Sequence, residues 1–178
     1  MFDYRRGVLL ACVWLLLGCT VGQPVPGVSA SLIEATSPCD ATYLIDGEAL
    51  TLSHGQGVID PLPGSAAKTM IQVFGEPVRG DLDGDGVADA ALLLVQTSGG
   101  SGTFYYLAAA FNRDGVFVGS EAVFLGDRIA PKRLAIQYGL LVVDYAERLP
   151  EQAMTVLPSQ GVTKYLASKG NGLEEIHV

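Results

Sequence analysis

The chain is poor in the side chains that most enzymes use. It has 2 histidines in 178 residues, His54 and His177, and the second is penultimate, where chain ends fray. Gly-x-Ser-x-Gly, His-Glu-x-x-His and Cys-x-x-Cys patterns are missing. Ser53-His54, or Cys39 with His54, offers a fragment of a nucleophile–base pair. A hydrolase needs nucleophile, base and orienting group together in space, so no catalytic residue is assigned. Basic residues are few as well: 11 Lys and Arg stand against 19 Asp and Glu, a formal net charge of −8. Nucleic acid and anionic lipid head groups both want a basic face, which argues against either as a partner. No window carries the periodicity and caps of a long amphipathic helix. No period of about 20–50 residues recurs, which argues against a propeller or solenoid.

What is present begins with an export signal. Arg5 and Arg6 precede an apolar run from Val8 to Leu17, too short to span a bilayer by itself. The run ends in Leu16-Leu17-Gly18-Cys19, which resembles the bacterial lipobox. That resemblance implies cleavage after residue 18 and diacylglycerol on the Cys19 thiol, a stable anchor once two or more acyl chains are attached. Thr20 follows, with no Asp to retain the protein in the inner membrane, so an outer-membrane lipoprotein facing the periplasm is expected. Removal of residues 1–18 takes Arg5, Arg6 and Asp3 with it, leaving 9 basic and 18 acidic residues and a net charge of −9. Residues 19–38, with Pro24, Pro26 and Gly27, read as a lipidated tether. Residues 39–178 are then a single β-rich periplasmic domain, one domain's worth of chain. Of the 3 cysteines, Cys12 leaves with the signal and Cys19 takes the lipid. Cys39 is left without a partner and reads as a partly buried, inert thiol. Without lipidation a Cys19–Cys39 bridge would become possible.

From Ala41 onward the pattern is β. Thr42 to Ile45, the pair Asp46-Gly47, then Glu48 to Leu52 predict a hairpin whose turn suits positive φ. Gly55 to Gly64 reads as a loop or edge, and Lys68 to Phe74 as a strand. Ala90 to Gln96 is almost continuously apolar, which predicts a central strand covered on both faces. Gly99 to Gly102 connects it to a strand over Thr103 to Phe111. Asn112 to Gly115 turns that into Val116 to Phe124. Two more hairpins follow, Arg133–Tyr138 with Leu140–Tyr145 and Thr163–Ser168 with Leu173–Val178. The expected fold is all-β, mainly an antiparallel sandwich or half-barrel, with at most one or two short helices in Pro61–Lys68 or after Gly126. Asp127-Arg128 reads as an ion pair closing a loop. Tyr105, Tyr106, Tyr138 and Tyr145 suit either a recognition face or cross-strand core packing.

One stretch carries specific chemistry. Gly80-Asp81-Leu82-Asp83-Gly84-Asp85-Gly86-Val87-Ala88-Asp89 places carboxylates at relative positions 1, 3, 5 and 9 of a short loop. Carboxylates this close repel unless something positive sits among them. Ca²⁺ is the natural cation, since it takes oxygen ligands from carboxylates, carbonyls and water. Asp81, Asp83, Asp85 and Asp89 are the expected ligands, with the carbonyl of Val87 as a fifth. Gly84 and Gly86 relieve the backbone where the loop curls. Leu92 stands where an EF-hand needs a bidentate Glu. The loop instead resembles integrin-type FG-GAP repeats, in which Ca²⁺ ties a turn to the start of a strand. One copy is present, so the resemblance implies the site and not the propeller. An acidic, solvated turn would use the same residues without metal.

Ala41 to Glu48, the Gly80–Asp89 loop, Gly99 to Tyr106 and Leu125 to Pro131 together resemble a group of uncharacterised bacterial lipoproteins. The resemblance implies export and a common domain but no activity. Two functional classes follow. One is a non-enzymatic envelope module, stiffened by Ca²⁺, that binds an envelope protein or glycan or serves a structural role. The other is a cell-envelope hydrolase with the Asp cluster at its active site. The first is preferred, because a cation saturated by protein carboxylates leaves little room for substrate, unlike an open catalytic metal. If Cys19 carries lipid, labelled fatty acid fed to expressing cells enters the protein, and Cys19→Ser abolishes that labelling.

Overall fold

A computed structural model of the chain describes residues 35–59 and 68–177. The expected export signal, Cys19, most of the expected tether and positions 61–67 of the candidate helix lie outside the described residues. Among the described residues, twelve strands follow a 3-10 turn at Pro38–Asp40. They are β1 (Thr42–Ile45), β2 (Glu48–Thr51), β3 (Gln56–Ile59), β4 (Thr69–Gly80), β5 (Asp89–Thr97) and β6 (Phe104–Arg113). The remainder are β7 (Val116–Gly119), β8 (Val123–Asp127), β9 (Ala130–Gln137), β10 (Leu140–Glu147), β11 (Gln160–Lys169) and β12 (Gly172–Ile176).

The strands form three antiparallel sheets stacked around β5 and β6. The central sheet has the order β3-β4-β5-β6-β7, with β8 also pairing β6. The β1–β2 hairpin covers one face. The meander β9-β10-β11-β12 covers the other. Alternation along β5 sends Ala90, Leu92 and Leu94 into the first core, beside Tyr106, Ala108, Ala110, Tyr43 and Leu50. It sends Ala91 and Leu93 into the second, with Leu107, Ala109, Phe111, Leu141, Val143 and Leu166. Continuous apolar sequence is what a strand buried on both faces requires. Each fully buried leucine contributes about 1.5–3 kcal/mol. Small residues meet at one end of the pair, Ala90↔Ala110 and Ala91↔Ala109, and Ala108 lies opposite Leu92.

The hairpin turns follow the residues that tolerate positive φ. Asp46-Gly47, His54-Gly55, Asp114-Gly115 and Tyr138-Gly139 each place both central residues in the left-handed region, the pattern of two-residue type I′ turns. His54 is therefore a turn residue, and Gln56–Ile59 forms an edge strand where a loop or edge was expected. The β4 strand runs beyond Phe74 to Gly80 through a register shift between Phe74 and Val78, which accommodates Pro77.

Two expectations need correction. The single strand over Val116–Phe124 is two strands, broken at Ser120–Ala122, because the chain leaves the ladder there to pair with β1. Leu44 N–H donates to the Ser120 carbonyl at 3.2 Å, and Ala122 N–H donates to the Leu44 carbonyl at 2.8 Å. Gly119 is a close approach, since a Cβ there would overlap the Thr42 carbonyl and the Tyr43 ring. The short helix considered after Gly126 is also absent. Arg128 adopts φ +48° and the chain enters β9 at Ala130. The expected Asp127–Arg128 ion pair holds this corner, with Nη2 2.7 Å from the carboxylate. Thr103 N–H donates to the same carboxylate at 2.9 Å.

Ser120, 1 % exposed, closes the ladder at the break. Its N–H donates to the Ala109 carbonyl, and its Oγ accepts from Ala109 N–H at 3.0 Å while donating to the Glu121 carbonyl at 2.8 Å. Ser120→Ala leaves the buried Ala109 N–H without an acceptor. Denaturant unfolding is expected to show a loss of about 1–3 kcal/mol.

Candidate metal centre

The aspartate loop is the connection between β4 and β5, and Asp89 is the first residue of β5. Asp81 receives the N–H groups of Gly84 at 2.7 Å and Gly86 at 3.0 Å. Asp83 receives Asp85 N–H at 3.3 Å, and Asp85 receives Val87 N–H at 2.7 Å. Each short side chain thus folds the backbone back on itself, as Asx turns do. Gly84 and Gly86 stand at φ +81° and +84°, the curl expected of them. Leu82 is buried in the second core, and Ser168 Oγ donates to its carbonyl at 2.9 Å. That contact pins the loop to β11.

Asp89 is 0 % exposed. Its two oxygens accept N–H groups from Leu82 and from Asn112, each at 2.9 Å. The carboxylate therefore ties its own loop to the end of β6. Oxygens of Asp81, Asp83 and Asp89 all lie within 4.8 Å of one another. These three close carboxylates form a group able to hold a metal ion. Asp85 stands outside this group, and Val87 joins the loop through its N–H.

Arg113 is the residue that sequence reading missed. Its Nη1 lies 2.6 Å from Asp83 Oδ2 and 3.3 Å from Asp85 Oδ2. Its guanidinium also lies over the Phe111 ring, 5.3 Å from the centroid. The only available signal was the pairing register: Ala90 opposite Ala110 sets the end of β6 beside the start of β5. Hydrogen bonding to Arg113 is the main cause that holds the Asp83 carboxyl below its usual range, and it raises the guanidinium in turn. One positive charge thus acts on three of the four carboxylates, those of Asp83, Asp89 and Asp85. Among the described residues no Lys, Arg or His makes an ion pair with Asp81 or Asp89. A buried carboxylate with only neutral donors is costly, and a cation would offset that cost. The donor set is all oxygen, which suits a hard divalent ion.

The other sequence candidates do not converge here. Ser53 Oγ lies 3.1 Å from His54 Nδ1 on an exposed turn. Asp40 accepts the backbone N–H of His54 at 2.6 Å, and no orienting contact to the ring is seen among the described residues. Cys39 is half-buried with no disulfide partner there. The four tyrosines do not share a face. Tyr106 and Tyr145 are buried in opposite cores, Tyr105 packs edge-on against Phe74, and Tyr138 is exposed at a turn. No family model, curated protein or solved structure matches the chain.

Arg113 competes with any cation for Asp83. Arg113→Gln is expected to tighten divalent-ion binding about tenfold in calorimetric titration. The depressed Asp83 contributes stability above the unfolded carboxylate pKa of about 3.9, and this is lost as pH falls through its lower native value. Acid unfolding of Arg113→Gln should lack that contribution.

Proposed function

We propose that the protein is a lipid-anchored envelope module whose β domain is clamped by Ca²⁺ at the β4–β5 loop, and that it acts by binding or by structure rather than by catalysis. The observation that carries this reading is the convergence of buried Asp89 with Asp81 and Asp83, neither Asp89 nor Asp81 having an ion-pair partner among the described residues. Bound Ca²⁺ would draw on Asp81, Asp83 and Asp89, joining the end of β4 to the start of β5. Through the hydrogen bond from Asn112, the same carboxylate links that joint to the β6–β7 turn. The remaining ligand positions of such an ion suit water, loop carbonyls or Asp85 once Arg113 withdraws. Its role is structural: it neutralises the loop and holds two central strands in register.

The lipid anchor rests on the Leu16-Leu17-Gly18-Cys19 pattern, and the outer-membrane, periplasm-facing location on Thr20. The domain's partner is an envelope protein or glycan. A hydrolase built on the same aspartates would need an open coordination position and a general base beside it. Here the basic group paired with the aspartates is Arg113, a guanidinium that stays protonated and cannot serve as that base.

A thermal melt of the full chain in neutral detergent tests the reading. Excess Ca²⁺ at a hundred times its dissociation constant is expected to stabilise by about 2.7 kcal/mol, a rise of roughly 5–10 °C for a domain of this size. Chelator should reverse the rise, and Asp89→Asn should remove it. An equal melting temperature with Ca²⁺ and with chelator would reduce the loop to an acidic turn closed by Arg113.

A further inference from the structure

A second site lies at the other end of β5. A recess of about 340 Å³ opens where the tip of the β1–β2 hairpin meets the central sheet, lined by Asp46, Gln96, Phe104, Tyr106 and Phe124. Gln96 stands seven residues beyond Asp89 on β5, about 23 Å away at the rise of a strand. The recess is therefore independent of the aspartate loop.

Its walls are aromatic. The Phe124 ring centroid lies 5.4 Å from that of Tyr106 and 6.4 Å from that of Phe104, with the rings tilted by 60° and 48°. Phe124 is 51 % exposed, although its neighbours pack into the first core. The charged group of the recess is an acceptor. Asp46 Oδ2 receives the Tyr106 hydroxyl at 2.8 Å, and no donor to Oδ1 is seen among the described residues. The side-chain oxygen of Gln96 is buried with no hydrogen-bond partner. Burial and the Asp46 carboxylate push the Tyr106 hydroxyl well above its ordinary pKa, so it stays protonated and its one donor is spent.

These features select the ligand by charge and by hydrogen-bond sense. Asp46 disfavours anions. The exposed Asp46 carboxylate, with the Tyr106 hydroxyl already donating to it, favours a group that donates. A protonated amine has three donors and no acceptor. Ring faces carry negative quadrupole charge and attract such a cation, and the chain's net charge of −8 raises the local concentration of cations. We propose that this recess binds a primary alkylammonium group, with Asp46 as counterion and Phe104, Tyr106 and Phe124 as the walls around the alkyl chain. A free amine and the end of a lysine side chain present the same chemistry.

The test uses the full chain in neutral detergent, titrated by amide NMR with four probes. These are n-butylammonium, Nα-acetyl-lysine methylamide, tetramethylammonium and n-pentanol. At least one of the first two is expected to shift the amides of Asp46, Gly47 and Gln96 with roughly millimolar affinity. The tighter of the two identifies the source. Pentanol, of similar shape but neutral, and tetramethylammonium, with no N–H for Asp46, should each bind about tenfold more weakly. Asp46→Asn keeps a residue that tolerates the left-handed turn and still accepts from Tyr106, so a matching loss of affinity there reports the charge alone. Phe124→Ala, at an exposed ring, should weaken binding as much. Equal binding of pentanol, equal binding of tetramethylammonium, unchanged affinity in Asp46→Asn, or no shift with either amine would each overturn the proposal. None of these outcomes depends on whether Ca²⁺ binds the β4–β5 loop.

Discussion

Two-sided burial of β5 is the constraint on which the rest depends. A strand with apolar side chains on both faces cannot end at solvent on either side, so each face must acquire a covering layer. The β1–β2 hairpin supplies one and the β9–β12 meander the other. Neighbouring elements follow from that demand. β6 carries Ala108, Ala109 and Ala110 opposite β5, because a sheet covered on both faces has little room for large side chains on every strand. Gly119 lets the hairpin backbone reach the sheet. Ser120 replaces the ladder bonds lost where β7 gives way to β8.

Polar side chains return only where the covering layers stop. Asp89 opens β5 and Gln96 is its last residue but one, and each lines one of the two candidate sites. At the first end the polar group is a buried carboxylate in a cluster of like charge. At the second it is a buried amide oxygen among aromatic rings. The physics of the two ends differs accordingly. One concentrates negative charge and calls for a small, hard cation. The other spreads weak negative potential over ring faces and calls for a larger, softer one.

Arg113 gives the aspartate loop an internal counterion. Its guanidinium relieves repulsion between Asp83 and Asp85 without reaching Asp81 or Asp89 in an ion pair. The loop can therefore hold its shape with part of its charge neutralised, and a divalent ion must displace or share that contact. Such competition weakens affinity and makes it responsive to cation concentration.

Much of the fold is legible in the residues alone, because the signals are local. Asp46-Gly47 and Asp114-Gly115 specify turns through their tolerance of positive φ, and the unbroken run from Ala90 to Val95 specifies a strand covered twice. The aspartate spacing likewise points to four carboxylates around one point, of which Asp81, Asp83 and Asp89 lie together. What remained hidden depends on pairing between distant segments. The break at Ser120 exists because β1 binds there. Arg113 reaches Asp83 across thirty residues of chain only because of the register of β5 on β6. The ammonium recess gathers residues from β5, β6, β8 and a hairpin tip. By itself the sequence determined the turns, the central strand and the acidic loop, whose causes lie within a few residues. Only the tertiary structure decided which side chains meet across strands, because register and layer order are set by the summed burial of the whole domain.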